Sequence, residues 1–235
     1  MDPKAPILLA IDTPDIEIAQ KWVSITQEYV SGYKLGLEFF SRYGAAGVAT
    51  IKEAYGGDLF LDLKLHDIPN TVGAAAEQLA YLSPRFLTVH ASGGEAMIRA
   101  AVNRAPRVEI TAVTILTSLN SDDLHEIGFR DPPLQSAVNL AVLAKSAGAK
   151  AIVCSPLEIA AIRTAVGPEL SIIAPGVRPK GYGADDQART LTPRAAIEAG
   201  ATYLVIGRPI TSFWANGAGA MAEAAAKIAA ELNFA

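Results

Sequence analysis

Two aspartates and a lysine, Asp62, Lys64 and Asp67, stand at D-x-K-x-x-D spacing in the segment FLDLKLHDIPNTV, which otherwise reads as a buried β-strand. Side chains two apart on a strand share a face, so Asp62 and Lys64 are expected side by side. Asp67 lies beyond the strand, in the turn before Pro69, where periodicity gives no direction. A lone Asp-Lys pair would read as a neutralised ion pair, and Asp67 as a helix cap. Three charges inside an apolar run, however, are costly to bury without a use. A lysine acting as an amine nucleophile needs desolvation or a neighbouring cation. Flanking carboxylates do the reverse and favour the ammonium, so Lys64 reads as a proton donor. They would also repel a substrate anion more than a transition state that has lost that charge. The pattern suits loss of a carboxylate as CO2 and protonation of the carbanion left behind.

Such a cluster needs elements that hold it, and the chain supplies a rhythm. Short apolar runs alternate with longer amphipathic, Ala-rich stretches at roughly 25–30 residue spacing. The expected strands are PILLAI, VSGYKLG, LFLDLK, RFLTVH, VEITAVTIL, KAIVCS, LSIIAPG and TYLVIG. Helical stretches such as TPDIEIAQKWVSITQEY, NTVGAAAEQLAYLS and GGEAMIRAAVNRA lie between them. Strands apolar throughout, each followed by a helix, imply a parallel sheet covered by helices. Eight such units point to an α/β fold of the (β/α)8 TIM-barrel type, one domain over residues 1–235. A doubly wound open sheet is the alternative, weakened by the lack of G-x-G-x-x-G after the first strand. The connections TSLNSDDLHEIGFRDPPLQ and VRPKGYGADDQARTLTP follow strand C-termini, where barrel active sites assemble. The second has the length and glycine content of a closing lid.

In a barrel, polar residues at strand ends converge on one mouth. Asp12 ends the first run, Lys34 the second and His90 the fourth; Thr117 and Ser118 follow the fifth, and Arg178 the seventh. Gly207 and Arg208 end the eighth, the usual phosphate corner, where glycine admits the anion and arginine offers paired donors. Arg178 adds a second anion contact, and Gln187 in the following connection could close over it. His66 and His90 read as structural, and His125 as solvated. No His or Cys cluster has metal-ligand spacing. The single cysteine, Cys154, lies in an apolar run and reads as a buried, inert thiol.

Apolar residues make up 51% of the chain and charged residues 19%, which argues for a well-buried globular protein. A net charge of −4 provides no basic field, so nucleic acid is not expected as a partner. MDPKAPILLAID has no signal-peptide pattern and no run is long enough to span a membrane, so no membrane partner and a cytoplasmic location are expected.

DLKLHDIPNTV, with LTS at Leu116 to Ser118, APGVR at Ala174 to Arg178 and IGR at Ile206 to Arg208, resembles the bacterial orotidine 5′-phosphate decarboxylase family over essentially the whole chain. The resemblance implies decarboxylation of orotidine 5′-monophosphate to UMP, the last step of de novo pyrimidine synthesis, with neither metal nor organic cofactor. Lys64 would protonate C6, and Asp62 would lie beside the substrate carboxylate and hold Lys64. Asp67, with Ile68 and Thr71, would reach into the neighbouring subunit's site, which implies a homodimer with shared active sites. Asp12 and Lys34 would contact ribose and extend the charge array. Thr117 and Ser118 would face the pyrimidine, and Arg178, Gln187, Gly207 and Arg208 would hold phosphate.

Two rivals remain. Metal-dependent barrels acting on sugar phosphates also carry D-x-K-x-x-D, with a metal-binding carboxylate at the end of the second strand. Here Lys34 occupies that place, and a cation opposes metal binding. The other rival is a phosphate-binding barrel without chemistry, which should show gaps among the catalytic residues; none are visible.

Overall fold

Each apolar run pairs in parallel with the next, and the eighth returns to the first, so the sheet closes into a barrel in sequence order. The computed structural model describes residues 4–179 and 191–232. Its elements are β1 (Ala5–Ala10), α1 (Ile16–Thr26), β2 (Val30–Gly36), α2 (Leu37–Ala54), β3 (Asp58–Leu65), α3 (Pro69–Ala80), β4 (Phe86–His90), α4 (Gly94–Arg104) and β5 (Glu109–Val113). There follow α5 (Ser121–Glu126), α6 (Pro133–Ser146), β6 (Ala151–Val153), α7 (Ile159–Val166), β7 (Ser171–Pro175), α8 (Pro193–Glu198), β8 (Tyr203–Ile206), α9 (Arg208–Thr211) and α10 (Ala218–Leu232). Closure removes the open-sheet alternative, because no strand is left with an unpaired edge.

Alternation along the strands builds two cores. Outward residues such as Leu9, Leu35, Leu61, Leu87, Ile152 and Leu204 pack with the helices. Inward residues, among them Leu8, Phe60, Phe86, Ile173 and Val205, form a separate cluster inside the barrel. Both faces must be apolar, which is why the strands read as continuous apolar runs rather than alternating ones. Local chemistry sets the helix starts. Asp15 caps α1 by accepting from the amides of Glu17 at 2.9 Å and Ile18 at 3.1 Å, so that helix begins at Ile16, within the expected stretch rather than at its start. Pro69 opens α3 and Pro133 opens α6, where a missing amide proton is no loss.

Beneath the apolar layer, Arg85 bridges Asp58 at 2.6 Å and Glu109 at 3.0 Å, and its guanidinium lies 4.8 Å from the Phe86 ring centroid and 5.1 Å from that of Tyr203. This ionic plug closes the base, opposite the mouth where Asp12, Lys34, Asp62 and Lys64 stand. Gly32 on β2 makes room for the plug: a Cβ there would meet the Asp58 carbonyl oxygen at 2.2 Å.

The expected strands match the observed ones most closely at VSGYKLG, which is β2 itself. β5 ends at Val113 rather than Leu116, because Ile115 and Leu116 leave the ladder to wall the central cavity. The connection from residue 117 to 135 is not irregular throughout. Asn120 and Asp123 form a reciprocal capping box that starts α5, a signal present in the sequence as N-S-D-D. Most of the connection read as a lid, with Gln187, lies outside the described residues. Gly32→Ala should lower folding stability by about 2–3 kcal/mol through overpacking against Asp58. A denaturant titration measures this, and an unchanged midpoint would contradict the close approach.

Candidate active site

The mouth of the barrel carries four charges in alternating sign. Asp12, two residues past β1, lies 3.5 Å from the Lys34 ammonium, and Lys34 lies 3.5 Å from Asp62 Oδ2. Asp62 Oδ1 then accepts from Lys64 Nζ at 2.7 Å. Exposure falls into the centre of this chain: the Asp12 side chain is 66% exposed, Lys34 and Asp62 13% each, and Lys64 29%. Burial by itself would push the Asp62 carboxyl up. The ammonium groups of Lys34 and Lys64, with hydrogen bonds from Lys64 and Thr88, outweigh it and hold Asp62 below the usual carboxylate range.

Strand alternation does not account for the placing of Lys64. Pairing between β3 and β4 steps from Leu61 opposite Leu87 to Leu65 opposite Val89, so Asp62, Leu63 and Lys64 stand against Thr88 alone. Lys64 adopts φ 49°, the left-handed region that non-glycine residues seldom occupy. The bulge re-aims its side chain so that it meets Asp62 on the cavity side. The expected neighbours are therefore neighbours, for a reason that a regular strand would not provide.

Beside the charges opens a cavity of about 200 Å³, lined by Lys34, Asp62 and Lys64 on one side. Phe60, Val113, Val153 and Val205 form an apolar floor, and Ile115, Leu116 and Thr117 a wall. Thr117 lines this cavity, whereas Ser118 is exposed one residue further along the connection. Cys154 also touches the cavity; burial, then the Glu158 carboxylate, push its thiol up, which agrees with an inert group.

Of the remaining expected residues, those described occupy the rim. Pro175 on β7 pairs with Val205 on β8, so Arg178 and Arg208, each three residues further on, leave adjacent strands at one level. Gly207 packs close to β1: a Cβ there would lie 3.3 Å from Ala10 Cβ and 3.8 Å from Asp12 Oδ2. The Arg178 Nε is buried and finds no partner among the described residues. Asp67, Ile68 and Thr71 are exposed and stand apart from the charge chain. Asp67 accepts from the Ile68 amide at 2.6 Å, and Ile68 is 65% exposed. In one subunit they do not join the cavity.

The orotidine 5′-phosphate decarboxylase / HUMPS family model matches residues 5–228. The chain belongs to that family. It is 53% identical over 229 residues to the orotidine 5′-phosphate decarboxylase of Thermobifida fusca, covering 97% of this chain and 96% of the relative. The enzyme of that name from Paramagnetospirillum magneticum is 45% identical over 238 residues, covering 97% and 99%. Among solved structures, orotidine 5′-phosphate decarboxylase from Lactobacillus acidophilus superposes with a TM-score of 0.84 at 34% identity, covering 98% of this chain and all of that one.

For a member of the orotidine 5′-phosphate decarboxylase / HUMPS family, the reading from residue types missed Thr88. It sits in the middle of RFLTVH, an apolar run, and only its spacing of two from His90 marks it as inward-facing. His90 itself was read as structural, and its ring lies 5.4 Å from that of His66. Burial, then His66 and Lys64, lower the His90 pKa from its ordinary 6.5, while Asp62 opposes them. The unfolded chain therefore takes up this proton more readily than the folded one. Stability from this residue is complete above pH 6.5 and is lost as the pH falls through that value. Between about pH 7.5 and about pH 5.5, the fall in denaturant midpoint should be smaller in His90→Asn than in the parent. Equal falls would mean that the imidazole is not desolvated.

Proposed function

We propose that this chain decarboxylates orotidine 5′-monophosphate to UMP and CO2, with Lys64 as the proton donor and neither metal nor organic cofactor. The observation that carries the proposal is the Asp12–Lys34–Asp62–Lys64 chain, ending in an ammonium fixed at 2.7 Å from Asp62 beside an apolar cavity. In this reading the pyrimidine rests on the Phe60–Val113–Val153 floor with Thr117, and Ser118, towards its polar edge. Its carboxylate faces Asp62. The C6–carboxylate bond breaks, CO2 leaves, and the electron pair stays on C6. A proton passes from Lys64 Nζ to C6, and the neutral amine regains one from solvent. A fixed ammonium in a water-poor pocket favours the carbanion, and crowding of two carboxylates is relieved as one departs.

The phosphate would be held by Arg178, Gly207 and Arg208, with Gln187 reaching across and Asp12 and Lys34 at the ribose. Binding energy far from C6 can then offset the crowding at C6. Asp67, Ile68 and Thr71 belong to the same proposal as contributions to a partner subunit's site in a homodimer. Their exposure in one subunit, and the apolar Ile68 at the rim, support it. One domain over residues 1–235 and a cytoplasmic location complete the reading. Among the described residues no helix is long and apolar enough to cross a membrane.

A metal-dependent reaction on a sugar phosphate is the competing reading within related barrels. It meets an obstacle in Lys34, whose ammonium sits 3.5 Å from both Asp12 and Asp62, where it competes with a cation for those carboxylates. Loss of orotate absorbance in the presence of a chelator is the direct assay. Conversion to UMP is expected, and a strict requirement for Mg2+ would overturn the proposal. Lys64→Ala should lower kcat by about a thousandfold or more while nucleotide phosphate still binds. A loss of only a fewfold would remove Lys64 as the donor. Mixing inactive Lys64→Ala and Asp67→Ala subunits should restore activity in hybrid dimers, and no recovery after proven subunit exchange would return Asp67 to its own subunit.

A further inference from the structure

We infer that Thr88 is a positioning residue for the reaction: its hydroxyl stitches the β3 bulge so that Asp62 and Lys64 are held together at the cavity. Thr88 is wholly buried on β4 and faces the three-residue excursion of β3 alone. Its Oγ1 accepts from the Lys64 amide at 2.7 Å and donates to Asp62 Oδ1 at 3.2 Å. One hydroxyl thus serves the backbone of one catalytic residue and the side chain of the other. The amide of Lys64 is turned out of the ladder by its φ of 49°, and a left-handed lysine persists only if its surroundings compel it. The 2.7 Å bond from that amide to Thr88 is what compels it.

The donation to Asp62 completes the carboxylate. Oδ1 receives Lys64 Nζ and the Thr88 hydroxyl, and Oδ2 faces Lys34. Each lone-pair direction that is used fixes a torsion of Asp62, and through it the site of the ammonium. A methyl in place of the hydroxyl would free the Lys64 amide and leave Asp62 able to rotate. Misplacing a proton donor by a fraction of an ångström harms the chemical step more than the binding of a phosphate held from other strands.

This inference rests on Lys64 being the proton donor, and the experiment separates the two. Thr88→Val keeps the shape and removes the hydroxyl. It should lower kcat by about tenfold to a hundredfold with KM for orotidine 5′-monophosphate changed by less than about threefold. Thr88→Ser should restore kcat to within about threefold of the parent. Losing a donor to the ionised carboxylate also raises the Asp62 pKa, so the acid limb of kcat in Thr88→Val should move to higher pH. A destabilised fold alone would leave that limb in place. Should the valine variant not fold, Thr88→Ala against Thr88→Ser isolates the hydroxyl in the same reduced volume, with the same tenfold or greater gap in kcat expected. Parent-like kcat in folded Thr88→Val or Thr88→Ala, or equal losses in Ser and Ala, would overturn the role of Thr88. If Lys64→Ala retained activity, the donor assignment would fail first and this inference with it.

Discussion

Asp62 is the carboxylate around which the rest of the mouth is arranged. It is 13% exposed yet ionised, which is tolerable only because cations stand on both sides and a buried hydroxyl completes its shell. Breaking such a partly buried pair by removing one partner costs on the order of 3–5 kcal/mol. The same arrangement gives Lys64 a fixed address. An exposed lysine samples many rotamers, whereas one tied at 2.7 Å to a carboxylate held on both sides keeps its ammonium at one place beside the cavity. Stability thus depends on the same residue to which the proposed chemistry assigns the crowding at C6.

The barrel separates this work from the work of holding itself together. At the base, Arg85, Asp58 and Glu109 satisfy one another against aromatic rings. In the middle, Leu8, Phe60, Phe86 and Val205 exclude water. At the mouth the charges alternate in sign, so the array is neutral as a whole while each member feels a strong local field. The cavity lies between the apolar layer and the charges, lined by Phe60, Val113, Val153 and Val205 on one side and by Lys34, Asp62 and Lys64 on the other.

Much of this was legible in the residues themselves. VSGYKLG is a strand in sequence and in structure, and Lys34 within it stands at the mouth between two carboxylates. The eight-fold recurrence of apolar runs foretold the barrel because parallel strands covered on both faces have no polar face to show. The strand-end residues Asp12, Lys34, Asp62, Lys64 and Thr117 do converge. What stayed hidden was register. Neither the three-against-one pairing of β3 with β4 nor the left-handed Lys64 leaves a mark in composition, because both depend on what β4 offers across the gap. Thr88 looked like an ordinary β-branched strand residue for the same reason. Asp67, Ile68 and Thr71 lie exposed beyond the end of β3, and their proposed use involves a surface that one chain does not contain.

The bulge has a consequence for how such a chain can change. Asp62 and Lys64 are separated by one residue, yet that short stretch spans an offset between two strands rather than a regular repeat. Adding or deleting a single residue there would not merely displace a side chain. It would break the Leu65–Val89 pairing that closes the bulge and ends β3, and so change the point from which the Asp67 turn and α3 depart. Length in this segment is therefore constrained as well as residue type, because the offset of three residues against one sets where Lys64 stands.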